Sequence, residues 1–340
     1  LRGSYSKSVR APYLGDLYSV PGQNFTPAPN DPCSARTINT GSATREANCT
    51  AAGRPAGYDF VYSSSLEILS GGNTDLKAET SKSLTLGGVF QPSFVPGLAI
   101  SVDYFQITVD DVITSPTPQQ VLNACYDAPD LNNQFCALFQ RAGANGGPRG
   151  EQQFRILEGS LIDSPQNYAT FKARGIDTQI GYNRDFGWGR LSMKGVWTHT
   201  IQRDNFTDPS RPTFKNVLTG ELGDPEDNFN ISTDLKLGPL TLGHSFRYLS
   251  RMYLNTWEDY NGVNGQPAQN PDYAQIVQYP SVTYHDIRFD LEVNDAFNFY
   301  GGVTNVGDTK PPYGLTGVGA GSGIYDNRGR FFYAGFTARF

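Results

Sequence analysis

Along much of this chain, apolar and polar residues alternate one by one. In HDIRFDLEV, residues 285–293, Ile287, Phe289, Leu291 and Val293 interleave with Asp286, Arg288, Asp290 and Glu292. A period of two predicts a strand with one hydrocarbon face and one charged face. The pattern recurs. Phe229, Ile231, Leu235 and Leu237 oppose Asn230, Ser232, Asp234 and Lys236, and Leu240, Leu242, Phe246 and Tyr248 oppose Thr241, Ser245 and Arg247. Ile176, Ile180 and Tyr182 oppose Asp177, Gln179 and Asn183, and Leu98, Ile100, Val102 and Tyr104 oppose Ser101 and Asp103. The last stretch carries Phe332, Ala334, Phe336, Ala338 and Phe340 on one parity, with Tyr333, Thr337 and Arg339 on the other.

The alternation predicts ten strands, at about 1–11, 80–91, 98–112, 168–184, 190–203, 228–238, 240–252, 282–294, 298–307 and 330–340. Their connections fall into two length classes. Four are tight (92–97, 185–189, 238–239 and 294–298). Five are long (about 11–79, 113–167, 204–227, 253–281 and 308–329) and rich in Gly, Pro, Asn, Asp and Ser. Strict short–long alternation puts every tight turn at one end of the strands and every long loop at the other. Transmembrane β-barrels have this geometry, with short periplasmic turns and longer extracellular loops. Strands of about ten residues cross a bilayer when tilted. Aromatics gather near the tight turns (Phe94, Tyr182, Phe186, Trp188, Phe297, Phe299, Tyr300), as an interfacial girdle requires. A secreted, lectin-like β-sandwich also alternates its faces, but its strands are shorter and its loops follow no two-class rule.

Composition narrows the reading without changing it. The chain has 340 residues, a net charge of -6, 13% aromatics, 37 Gly and 22 Pro. The mild acidity argues against a nucleic-acid partner. No apolar run reaches the length of a transmembrane helix. The mean hydropathy of -0.43 suits a soluble protein, yet an alternating barrel has an unremarkable average too. The first residues, Leu1 to Tyr5, show no leader pattern and read as mid-strand, so the expectation is a fragment of a longer chain.

Four cysteines fall in two pairs, each within one long loop. Of three possible connectivities, this favours Cys33–Cys49 and Cys125–Cys136 and an oxidising compartment. A metal site finds no support: there is no CxxC, and His199, His244 and His285 lie in strands away from the cysteines. No catalytic motif is present, so neither an enzyme nor a cofactor is expected. The glycine-rich stretch 314–323 has no lysine after it and reads as a loop. The sequons at Asn24, Asn48, Asn205 and Asn230 read as chance.

The order and spacing of several motifs resemble the C-terminal part of TonB-dependent outer-membrane receptors. SYSKSVRAPYLGDLY (4–18) is similar to the family's strand ending in Arg-Ala-Pro, through Ser8, Arg10, Ala11 and Pro12. GGNTDLKAETSKSLTLGGVF (71–90) resembles its Asn-Pro-x-Leu-Lys-Pro-Glu segment through Asn73, Leu76, Lys77 and Glu79, with Thr74 and Ala78 in place of the two prolines. SVDYFQITVDDVI (101–113) resembles a strand with paired aromatics, and ACYDAPDLNNQFCALFQR (124–141) a cysteine-bracketed loop. GGVTNVGDTKPP (301–312) matches at Asn305, Asp308, Pro311 and Pro312, and YDNRGRFFYAGFTARF resembles the closing strand.

This resemblance covers essentially the whole chain and implies an all-β fold: about the last ten strands of a 22-stranded antiparallel transmembrane barrel. The plug domain, the TonB box and the earlier strands would lie outside this chain. It implies a receptor in the bacterial outer membrane that takes up a scarce ligand, such as a siderophore, cobalamin or an oligosaccharide. The implied partners are the inner-membrane TonB energy complex, the barrel-assembly machinery and outer-membrane lipid. Phe336 and Phe340 would belong to the assembly signal. A passive, porin-like channel is the second reading.

Within that frame, Arg247, Asp286, Arg288, Asp290 and Glu292 read as lumen wall. RMYLNTWEDYNG (251–262) is the candidate ligand segment, with Tyr253, Trp257 and Tyr260 placed to stack on a ring and Glu258 and Asp259 to accept hydrogen bonds. The same aromatics would also suit the outer girdle. Cys125–Cys136 would shape a loop around a short helix at TPQQVLNACY, as a ligand lid.

Overall fold

A computed structural model of the chain describes residues 1–312 and 322–339. Ten long strands form one antiparallel meander: β1 (Arg2–Arg10), β2 (Glu79–Phe90), β3 (Leu98–Thr114), β4 (Gln166–Asp185), β5 (Arg190–Phe206), β6 (Asp227–Leu237), β7 (Leu240–Leu249), β8 (Val282–Glu292), β9 (Phe297–Thr304) and β10 (Phe331–Ala338). Each pairs with the next in sequence, and the two-residue strand 216–217 adds to the upper end of β5. Among the described residues, β1 pairs with β2 alone and β10 with β9 alone, so the sheet keeps two edges. No helix is long and apolar enough to cross a membrane.

All tight turns lie at one end, as the loop lengths predict. Three of them hold a glycine at positive φ, Gly187 among them at 82° between β4 and β5. Gly238 turns β6 into β7 with φ of 58°, and Gly97 has φ of 89°; a Cβ there would sit 2.1 Å from the Asn183 carbonyl oxygen. The expected girdle aromatics occupy this end. Phe186 and Trp188 stack at 5.5 Å between ring centres, and Phe94 is exposed. Tyr300 departs from that expectation: it pairs with Asp290 and Gly335, which places it on the opposite face from Phe297 and Phe299.

The cross-strand register sorts side chains into two faces. One carries Leu98, Ile100, Val102 and Tyr104 of β3 in line with Tyr182, Ile180, Thr178 and Ile176 of β4. It continues through Leu191, Met193 and Trp197 of β5, Leu235, Ile231 and Phe229 of β6, and Leu240, Leu242 and Phe246 of β7. Leu291, Phe289 and Ile287 of β8 extend it to Phe299, Val303, Phe332 and Phe336. Charge enters this face only at the margins of the band, where Asp227 stands in line with His199, Ile176 and Tyr104, and Arg184 opposite Leu191. The band spans four to six residue steps, roughly 14–20 Å along the strands at about 3.4 Å per residue. Many of its members are exposed, including Ile287, Phe289, Phe332 and Phe336. A long apolar band turned outward is what a lipid-facing wall requires.

The buried core lies elsewhere. The two longest connections, 11–78 and 115–165, fold against one another around Leu66, Ile68, Val121, Leu122, Phe135, Phe154, Ile156 and Leu161. Strand 22–26 pairs antiparallel with strand 66–70, which pairs parallel with strand 161–163 from the other connection. Helix α1 (Leu14–Tyr18) and helix α2 (Arg45–Ala51) belong to the first connection, helix α3 (Pro118–Asp127) to the second. Helix α3 starts where its sequence dictates: Thr117 and Gln120 form a capping box and Pro118 occupies the first turn. Cys33–Cys49 and Cys125–Cys136 are both bonded, as their loop pairing predicted.

Candidate functional site

The polar face carries the charges predicted for a lumen wall. Arg247, Asp286, Arg288, Asp290 and Glu292 all stand on it, and most are matched by neighbours. Arg288 donates to Asp234 at 2.6 Å, Asp290 accepts from Asn298 at 3.1 Å, and Glu292 lies 3.4 Å from Lys236. Asp286 accepts from the Asn305 backbone N–H at 2.7 Å. Asn305 is buried with φ of 50°, and its side chain holds both the N–H and the C=O of Thr309. This clamp accounts for the asparagine of the GGVTNVGDTKPP motif. Asp308, four residues ahead of Pro312, accepts from the Arg330 N–H and so ties the two ends of the last long connection.

Above these residues the polar face opens into a cavity of about 610 Å³, lined by Asn230, Ser232, Arg247, Tyr284, Asp286 and Arg328 among others. The Arg247 guanidinium lies 4.5 Å from the centre of the Tyr284 ring. Segment 324–326 covers the cavity: Tyr325 and Ile324 pack on Leu249, Val282 and Tyr284, and the Asp326 N–H donates to the Tyr284 hydroxyl at 3.1 Å. The Tyr325 hydroxyl is buried with no partner among the described residues, and burial pushes it up to about 12. Among the described residues neither Arg247 nor Arg328 has a carboxylate partner. Tyr325 and Arg328 escaped the sequence reading because their segment was legible only as the entry to the closing strand. The glycine-rich stretch before it lies, for residues 314–321, outside the described residues, as does Phe340.

The predicted ligand segment is in a different place. Tyr253 stacks on Tyr260 at 5.7 Å and meets Trp257 edge-on at 5.2 Å. Tyr253 and Trp257 line a cleft of about 870 Å³ with Arg174, Gln202 and Asp204. Arg174 stands two residues above Ile176, on the side of the sheet that bears the apolar band, so this cleft continues the apolar side and not the polar one. Glu258 and Asp259, expected to meet ligand, point inward. Glu258 accepts from the Val217 N–H at 2.7 Å, and Asp259 accepts from Asn255 at 2.5 Å and Thr256 at 3.0 Å. Glu221 joins them beneath the loop, accepting from the Trp257 N–H at 2.7 Å; burial raises its carboxyl above the ordinary range. The structure therefore does not bring the aromatic segment together with Arg247 and Asp286.

The residues that join the two longest loops carried no motif. Arg141 of the second loop forks onto Asp31 of the first, at 2.7 and 2.8 Å, and also donates to the Tyr126 hydroxyl. The pair is almost wholly buried, 9% and 0% exposed. Arg45 of the first loop pairs with Asp127 of the second, again in the interior. Asn48 donates to the Tyr126 and Ala128 carbonyls across the same junction. Buried ion pairs hold only where hydrogen bonds satisfy both partners, and here they do. The loop closed by Cys125–Cys136, expected as a ligand lid, packs as one half of a cap built from both loops. Among the described residues no cluster of three His, Cys, Asp or Glu side chains suits a metal ion.

An antiparallel meander with tight turns at one end, long loops at the other, and faces divided into hydrocarbon and charge defines an outer-membrane β-barrel wall. The sequence model of the TonB-dependent receptor-like β-barrel matches residues 1–306. The chain belongs to the TonB-dependent receptor β-barrel family. The siderophore receptor PirA of Acinetobacter baumannii shares the fold, at 18% identity and a TM-score of 0.57, over 99% of this chain and 38% of that one. A mutant of the ferric enterobactin receptor PfeA of Pseudomonas aeruginosa does so at 17% identity and 0.58, over 99% and 38%. A second PfeA mutant, solved in complex with enterobactin, gives 16% and 0.56 over the same shares. The chain spans less than two fifths of the length of these receptors. No curated protein matches it. Barrels of this family are bacterial outer-membrane proteins, and the family and its structural neighbours are transport receptors.

Proposed function

We propose that this chain forms part of a receptor that takes up a ferric siderophore across the outer membrane, coupled to the inner-membrane TonB complex. The observation that carries the choice of ligand is the cavity on the polar face. It sets Arg247 and Arg328, without carboxylate partners among the described residues, beside Tyr284 and Tyr325. Cations next to aromatic rings favour an anionic, ring-bearing ligand over a neutral oligosaccharide. The siderophores named for the structural neighbours support the same class. Cobalamin remains within reach of the fold but has less use for two guanidinium groups.

On this reading the plug domain and the earlier strands, outside this chain, would supply gating and the TonB contact. The closing strand, with Phe336 on the apolar face, would be read by the barrel-assembly machinery. Tyr253 and Trp257, in a separate cleft on the other side of the sheet, stand apart from this site. Uptake of radiolabelled ferric enterobactin by cells, with cyanocobalamin and maltohexaose as comparisons, tests the proposal. Arg247→Ala with Arg328→Ala should lower ferric uptake about tenfold, and loss of TonB should abolish it. Uptake that persists without TonB would instead support the passive-channel reading. Uptake of the neutral sugar alone would overturn the ligand class.

A further inference from the structure

Two imidazoles stand inside the apolar band, away from its margins. His244 of β7 follows Leu240 and Leu242 on the outward face and precedes Phe246 and Tyr248. His285 of β8 stands opposite Phe246, two residues nearer the loop end than Ile287. The rings lie on the diagonal between adjacent strands. They stack at 5.4 Å between centres, and His244 Nε2 and His285 Nδ1 share a hydrogen bond of 3.1 Å. The Phe246 ring meets His285 at 5.1 Å. Both histidines are exposed. Their neighbours on this face are Leu242, Phe246, Ile287 and Thr233, and no Asp, Glu, Lys or Arg stands beside them.

Lipid tails offer these rings nothing to bond. The bond within the pair uses Nε2 of His244 and Nδ1 of His285, whichever ring donates. Nδ1 of His244 and Nε2 of His285 are left over, and among the described residues neither has a hydrogen-bond partner. A neutral imidazole has one donor and one acceptor nitrogen. If His244 donates within the pair, its Nδ1 accepts and His285 Nε2 donates; in the other tautomer the roles reverse. With both rings neutral, the pair therefore always presents one donor and one acceptor outward, and an unsatisfied polar group is costly in hydrocarbon. Such a patch is complementary to itself: a copy turned about a two-fold axis meets each donor with an acceptor. Beside the pair the wall is dented. A cavity of about 540 Å³ lies between Leu242, Ile287, Phe289, Val303, Phe332 and Ala334. Association within a membrane draws on close packing at such places and on shared hydrogen bonds, because leaving lipid brings no hydrophobic gain. This face supplies both.

We infer that the outward face of β7 to β10 docks a second copy of this chain, with His244 of each copy bonded to His285 of the other across a two-fold axis. Depth decides between a second copy and another occupant. An unrelated membrane protein would need its own donor and acceptor at the same level in the bilayer. Two copies inserted in the same direction carry the pair at the same level by construction. A lipid tail fills the dent but leaves both outer nitrogens unpaired.

The inference rests on the outer-membrane reading, so the experiment reports on both. Two differently tagged copies of the full-length protein are expressed in the same cells, and a photo-reactive benzophenone side chain replaces Ile287 in one of them. Illumination should give a product that carries both tags. The same group in place of Leu98, in the band but on β3, should give none. Combined His244→Leu and His285→Leu removes the two shared hydrogen bonds and should lower the yield about tenfold, with heat-dependent gel mobility unchanged. A product holding one tag and a different protein would overturn the second-copy assignment. A yield no higher than at Leu98 would leave the face to lipid and overturn it too. Should the leucine variant fail to fold, native mass spectrometry of the unaltered protein in mild detergent still decides: a two-chain species is expected, and single chains alone would overturn the inference. Membrane fractionation and gel mobility report the barrel separately, so failure of the outer-membrane reading is visible on its own.

Discussion

The wall and the cap solve the problem of stability in opposite ways. The wall's ten strands bury little side-chain surface among themselves. They satisfy their backbone polar groups in cross-strand ladders, turn hydrocarbon outward and pair charge on the other face. The cap, made from the connections 11–78 and 115–165, has a buried apolar interior, two disulfides and two buried ion pairs that each span both loops. Fully burying a Leu, Ile or Phe contributes about 1.5–3 kcal/mol, and the cap holds several such residues. The wall is built for a lipid solvent, the cap for water. The same side chain therefore has opposite consequences in the two regions: Leu122 stabilises by being hidden, Phe289 by being exposed.

Substitutions that act in one region and spare the other test this division. The largest effect belongs to the Asp31–Arg141 pair. Arg141→Ala strands a buried carboxylate, and the cap should lose about 3–5 kcal/mol. Hydrogen exchange should rise across both loops while β6 to β8 stay protected; loosening of the second loop alone would break the idea of a single cap. Replacing Cys33 and Cys49 by serine should cost about 3 kcal/mol, with limited proteolysis entering between the two positions. A folded-barrel gel mobility lost along with the cap would show that the two regions are not independent. In the wall, Phe289→Arg puts a charge on the apolar face toward its turn end and should cost about 2 kcal/mol. That loss should appear as reduced membrane insertion, with normal proteolytic resistance in the cap. The smallest effect should come from Lys236→Gln. Its 3.4 Å contact with Glu292 is exposed on both sides and contributes less than about 1 kcal/mol. A larger change in urea resistance would mean the polar face is drier than its exposure indicates.

Much of the wall was legible in the sequence because its environment imposes a period of two. The tight turns and most strand bounds agree within a few residues, as for β6 at Asp227–Leu237 against 228–238 expected. The upper ends of β3, β4 and β5 were underestimated, β5 running to Phe206 and not to 203, while those of β7 and β9 were overestimated by three residues, ending at Leu249 and Thr304. Above the band the outward side turns polar at Gln106 and Thr108, while Phe105, Ile107 and Val109 take the other side. With lipid gone, the alternation no longer marks the face, so the strand continues unseen. In the candidate site, Arg247 and Asp286 were found by parity. The aromatic segment was found by composition, but the side of the sheet it serves was not, because a loop of that length has no register.

From the sequence alone came the strands, their faces, the placement of loops and turns at opposite ends, the disulfide pairing and the family, because each depends on local alternation or on spacing along the chain. Only the tertiary structure decided that two loops share one core, that Glu258 and Asp259 point inward, and that Arg328 and Tyr325 reach the cavity beside Arg247. Those arrangements join residues tens to more than a hundred positions apart, such as Asp31 and Arg141, and no periodicity along a chain encodes a contact across it.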